Sequence, residues 1–164
     1  MALSGAGATP SAQAGAARLG NVNAVLTGRG AASPERLDAA RALLEGSFVD
    51  VREAEPSLPA WLRALEDGTE DRVLFAVVGG RAPARGAVLA LVCWPEADAL
   101  VFRDDEDDAE AGALVLLRRE SVVPSARAAV SRGEVNPFEW LDSIDAERVG
   151  PVGLGLALPP AEAC

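Results

Sequence analysis

The longest apolar run in the chain, Ala87 to Trp94 (AVLALVCW), falls well short of the roughly 18 residues a membrane-spanning helix needs. The other runs, Val73 to Val78, Ala99 to Phe102 and Ala113 to Leu117, are shorter still, and glycine, proline or acidic residues separate them. Runs of this length suit buried strands. A chain of 164 residues is long enough to wrap such strands into one domain with a hydrophobic core. Apolar residues make up 49% and charged residues 24%, so most of the chain is expected to fold.

The helix signals are local. Ser33 is a good N-cap, Pro34 fits the first helical position and Glu35 sits at the positive end of the helix dipole. Leu37, Ala40, Leu44 and Phe48 recur at helical spacing, which predicts a helix over 33–49. A second helix is expected over 57–67, with Trp61, Leu62 and Leu65 on its apolar side and Gly68 at its end. Asn21 to Leu26 reads as a first strand. Val73–Val78 and Ala87–Trp94 read as a hairpin around the loop GGRAPARG. Ala99–Phe102 and Ala113–Leu117 read as a second strand pair, with the acidic run from Asp104 to Glu110 at its tip. Val122-Val123 reads as strand, with Pro124 opening a helix to about Arg132. Pro137 to Asp145 reads as a short helix, and Pro151 to Leu158 alternates as a strand. No strand is evident between 133 and 150. Residues 1–20 have the composition of a flexible Ala/Gly-rich tail. Residues 21–164 are expected to form a single α+β domain around a largely antiparallel sheet flanked by helices.

What is missing narrows the chemistry. The chain has no His and no Tyr, and all 15 basic residues are Arg. Without His there is no Ser-His-Asp or Cys-His site, and the two cysteines alone cannot close a structural zinc site, so no metal is expected. Cys93 reads as a small core residue, its pairing with Cys164 stays open, and the cysteine usage favours a reducing, cytoplasmic setting. The net charge is −10, which argues against nucleic acid and anionic membranes as partners. A basic protein partner at an acidic face, or none, fits better; a homodimer stays open.

Several motifs carry a functional reading. The acidic run lacks the glycine of a calcium loop and reads as a solvated hairpin tip or a docking patch. Arg81 and Arg85 in the glycine-bounded loop are candidate anion ligands. Glu120, Glu134 and Glu139 are candidate general bases. Ser121 and Ser125 are candidate nucleophiles without an identifiable base.

The stretch Val122-Val123-Pro124-Ser125-Ala126-Arg127 follows a helix pair, a hairpin and further strand. In that order it resembles the GNAT family of N-acetyltransferases over roughly residues 33–133. In that family a V-x-P-x-x-R strand runs into a glycine-rich turn whose amides and helix start hold the coenzyme A pyrophosphate. The resemblance implies an acyl-CoA-binding, N-acyltransferase-like protein. Acetyl-CoA or CoA would lie on Val123, Ser125, Ala126, Arg127 and Ala128, with Glu120 as the base. The chain departs from the pattern where the family has glycines, since Val130 and Arg132 stand there, and the family's tyrosine acid has no counterpart. A relative without catalysis fits those departures. The other class is a small acidic partner-binding protein: a chaperone, an immunity protein or an accessory subunit.

Overall fold

A computed structural model describes residues 19–28, 32–79, 85–93, 97–103 and 112–150. In chain order the elements are β1 (Leu19–Gly28), α1 (Pro34–Ser47), β2 (Phe48–Glu53), α2 (Leu58–Asp67) and β3 (Arg72–Val78). There follow α3 (Arg85–Val92), β4 (Ala99–Phe102), β5 (Gly112–Arg118), α4 (Arg119–Ser131), α5 (Pro137–Ser143) and β6 (Glu147–Val149). The six strands form one mixed sheet in the order β2-β1-β3-β5-β4-β6. β1 pairs in parallel with β2 and β3, and β4 in parallel with β6, while β5 runs antiparallel to both β3 and β4. The result is a single α+β domain, with more parallel pairing than the sequence reading expects.

The alternation of side chains explains the layers. Along β3, Leu74, Ala76 and Val78 point into one buried cluster, and Val73, Phe75 and Val77 into the other. β5 divides in the same way, with Leu114 and Leu116 on one side and Ala113, Val115 and Leu117 on the other. Both sheet faces are therefore apolar and both are covered. Ala40 and Leu44 of α1 and Val88 and Leu91 of α3 close the first face. Leu58, Trp61 and Leu65 of α2, Val122, Ala126 and Ala129 of α4, and Trp140 and Leu141 of α5 close the second. Trp61 stacks on Phe75 with ring centroids 4.2 Å apart.

Side-chain caps set the helix starts, at Ser33 as the sequence suggests. The Ser33 hydroxyl accepts from the Arg36 amide, Ser57 from Ala60, and the Asn136 side chain from Phe138. Where the chain must turn against the sheet, the polar residue Asn23 is used as an anchor. It is 2% exposed, accepts from the amides of Thr69 and Glu70, and donates to Asp50 Oδ2 at 3.0 Å. The loop between α2 and β3 is thereby tied to the two outer parallel strands.

Four expectations need correction. Ala87–Trp94 is not the second arm of a hairpin: its residues up to Val92 lie in α3, because β3 and β4 are parallel and a tight turn cannot join parallel strands. Phe48 does not end α1 but begins β2, turning extended at φ −127° and ψ 150°. Val122 and Val123 are helical, since α4 starts at Arg119 and runs through Pro124. Burial of Val122, Ala126 and Ala129 outweighs a proline cost of about 3 kcal/mol. A three-residue strand, β6, does exist between 133 and 150. Cys93, whose pairing the sequence leaves open, is half-buried at the end of α3 and disulfide-bonded. Residues 1–18 of the N-terminal tail, the acidic run 104–110, most of the GGRAPARG loop and the 151–158 strand lie outside the described residues, while Leu19 and Gly20, read as the end of the tail, open β1. Among the described residues no helix is long and apolar enough to cross a membrane.

Gly112 opens β5 at φ +94°, and a Cβ there would run into the Val77 carbonyl oxygen. Gly112→Ala is expected to lose about 2–3 kcal/mol of folding stability, read from the urea midpoint at unchanged slope.

Candidate functional site

The one antiparallel strand creates the site. β5 carries the chain to the amino ends of β4 and β6 and passes straight into α4. There the Arg118 amide donates to the Asp98 carbonyl and the Arg119 amide to the Asp71 carbonyl, each at 2.8 Å. α5 descends to the same corner and the chain reverses into β6. A cleft of about 580 Å³ opens between these parts, within the usual size range of ligand sites. Asp98, Arg118, Ser121, Ser125, Asp145 and Glu147 supply its polar lining.

Each polar group has a structural cause. Ser121 stands in the first turn of α4 and donates from Oγ to Asp98 Oδ1 at 2.9 Å. Arg118 Nε lies 3.6 Å from the same oxygen and makes no hydrogen bond, so that ion pair is loose. Arg118 also faces Arg72 directly across the β3–β5 ladder. Burial, and then the Arg118 charge, push the Arg72 guanidinium below its ordinary pKa, while Asp71 opposes the shift. One Nη of Arg72 is held by the Val92 carbonyl at 3.0 Å. Ser125 accepts from the indole N–H of the fully buried Trp140 at 3.0 Å, so the floor of the cleft is joined to the core.

Asp145 is the strained member. Its φ of 54° is the only left-handed value at a non-glycine residue among those described. The Asp145 amide bonds back to Asp142 and the Ala146 amide to Leu141, closing α5 in the way a glycine ordinarily does. An aspartate therefore sits where backbone preference asks for glycine, and its carboxylate lies at the cleft. Asp145 and Glu147 are both exposed, and neither carboxylate has a hydrogen-bonding or ionic partner among the described residues. Among those residues no group of three or more Asp, Glu or Cys side chains is arranged to hold a metal ion.

Of the residues singled out in the sequence, Ser121 and Ser125 reach the cleft. Glu120 is exposed in the first turn of α4 and does not line it. Val123 packs against the second core cluster, and Ala126 is fully buried in it. Arg127 reaches across to α2 and pairs with Glu66 at 2.7 Å, while Ala128 is exposed. Val123 to Ala128 lie inside α4, where amides past the first turn are used by carbonyls four residues earlier, so no open amide turn forms there. Glu134 is paired with Arg132, and Glu139 is exposed in the first turn of α5. Asp98, Arg118, Asp145 and Glu147 are not visible as site residues in the sequence. They come from three separate segments, Asp98, Arg118 and the 145–147 stretch, and only the sheet order brings these together.

No family model matches the chain, and no curated protein matches it. Its fold is similar to that of a solved structure, the protein Aq1419 from Aquifex aeolicus VF5. The TM-score is 0.58 at 12% identity, over 88% of this chain and 95% of that one. At this identity the likeness speaks for the fold alone.

Asp145→Gly should raise folding stability by about 0.5–1 kcal/mol, because the left-handed conformation costs a glycine nothing. Thermal unfolding of the variant beside the parent reads this directly.

Proposed function

We propose that the protein is a small acidic binding protein that receives a cationic side chain of a basic partner protein in the cleft at the start of α4. The observation that carries this reading is the charge of the lining. Three carboxylates, Asp98, Asp145 and Glu147, line the cleft beside a single guanidinium, Arg118, which lies loosely at 3.6 Å from Asp98. Two carboxylates are left unpaired, and the chain as a whole carries −10. A cationic group arriving there meets favourable charge both at long range and at contact. The hydroxyls of Ser121 and Ser125 offer further acceptor positions for a guanidinium or ammonium group.

The acyl-CoA reading asks for the opposite polarity, since a pyrophosphate needs donors and positive charge. The residues it relies on are spread over a helix interior, a core contact and an ion pair with Glu66. The cationic reading therefore has the better support from the geometry.

Trp140 supplies the readout, because its indole N–H is bonded to Ser125 in the cleft. Titration with an arginine-rich peptide is expected to change tryptophan emission, with binding that weakens as salt rises. Asp145→Asn and Glu147→Gln should each weaken binding roughly threefold, as half-exposed charge pairs do. No binding, or binding indifferent to both substitutions, would overturn the reading. Binding of acetyl-CoA that is lost in Arg127→Ala would establish the other one.

A further inference from the structure

We propose that two copies of the chain join edge to edge through β2, antiparallel about a two-fold axis at Val51, to make one continuous sheet. Among the described residues β2 has β1 on one side and no strand on the other. The backbone decides which groups are free. The Ala54 amide donates to the Leu26 carbonyl of β1, and Leu26 pairs with Glu53 in a parallel register. Successive residues of a strand aim their backbone groups to opposite edges, so Asp50 and Arg52 are bonded inward. Val49, Val51 and Glu53 then present their N–H and C=O groups outward.

An antiparallel pair with hydrogen bonds must set outward residues opposite outward residues. Only a few two-fold registers meet that condition, and side-chain charge separates them. Centring on Glu53 sets two glutamates face to face. Centring on Asp50 or Arg52 sets like charges face to face. Centring on Val51 sets Val51 against Val51 of the second copy and Val49 against its Glu53. On the other sheet face it sets Asp50 against Arg52 of the second copy, and the symmetry repeats that pair. Opposite charges directly across a ladder stabilise it, and like charges oppose it. Centring on Val49 sets no like charges together but pairs only residues 48–50 of a strand that spans Phe48–Glu53, so the Val51 register is the one that combines the longest pairing with opposed charges.

The side chains of β2 agree with this arrangement. Val49 is 67% exposed, the more exposed of the two large apolar side chains that stand out among the described residues. The Asp50 and Arg52 side chains keep 32% and 38% of their surface and pair along the strand at 3.1 Å, while Asn23 donates to Asp50 and Arg52 donates to the Asp67 carbonyl, so each carries its charge on the face of the strand with surface still open. The charges that ordinarily protect an edge strand are here arranged so that they oppose the registers centred on Asp50, Arg52 and Glu53 and admit this one. A two-fold axis needs such self-complementarity. The surface is remote from the cleft, since β2 and β6 are opposite ends of the strand order.

Sedimentation velocity over a concentration series tests the inference on the full chain. The parent chain is expected to show a concentration-dependent dimer. Asp50→Arg and Arg52→Asp, each alone, should raise its dissociation constant at least roughly tenfold, because like charges then face each other twice. An equimolar mixture of the two variants should regain the dimer as a heterodimer. Asp50 also accepts from Asn23, so a second variant guards against loss of the fold. Val49→Pro removes only an outward donor, and Phe48 already has the extended conformation that a following proline requires. It should keep the circular dichroism and the cooperative unfolding of the parent and lose the dimer. A parent chain that stays monomeric throughout overturns the proposal, as does a dimer that survives Val49→Pro.

Discussion

Everything else in the molecule follows from a sheet whose central strands are apolar on both faces. Phe75 and Leu74 are neighbours in sequence, and both are fully buried, on opposite sides. Such a strand is stable only with a helical layer above and another below. That requirement fixes α1 and α3 on one side and α2, α4 and α5 on the other. It also explains why polar residues inside are so few. Asn23, Thr27 and Ser47 are the buried polar residues among those described, and Asn23 is fully occupied in holding a loop.

Much of the fold is legible in the sequence wherever a local signal matches the final environment. Ser33 caps the helix it announces, and helices start at Leu58 and Pro137 close to where the sequence places them. Ala99–Phe102 and Ala113–Leu117 pair as their length and apolarity suggest. The reading fails where one pattern serves two structures. The run AVLALV is apolar all round, which suits a two-faced strand and a buried helix equally, and only the parallel sense of β3 and β4 decides between them. Pro124 misleads for a related reason: a proline is read as a boundary, yet burial on the opposite side of α4 carries the helix through it.

The cleft was less legible still. Ser121 and Ser125 are singled out in the sequence, but the groups that give the site its charge are not. Asp98 precedes a strand, Arg118 ends one, Asp145 follows a helix and Glu147 opens another strand. Asp145 and Glu147 are two residues apart, but nothing in the spacing links that pair to Asp98 or Arg118, because the link is the strand order. The strained backbone at Asp145 is equally silent in sequence, since aspartate is unexceptional at a helix end until its φ is known.

The antiparallel β5 lies between β3 and β4, both of which precede it in the chain. It is the seam that joins the β2-β1-β3 half of the sheet to the β4-β6 half. During synthesis, β3 is complete well before residues 112–118 emerge, and until they do its inner edge has no partner. The two halves cannot close on each other in order of synthesis; they must wait for a later segment to be threaded between them. A chain of this topology therefore carries an obligatory delay into its assembly, and an apolar strand edge stays open for as long as the delay lasts.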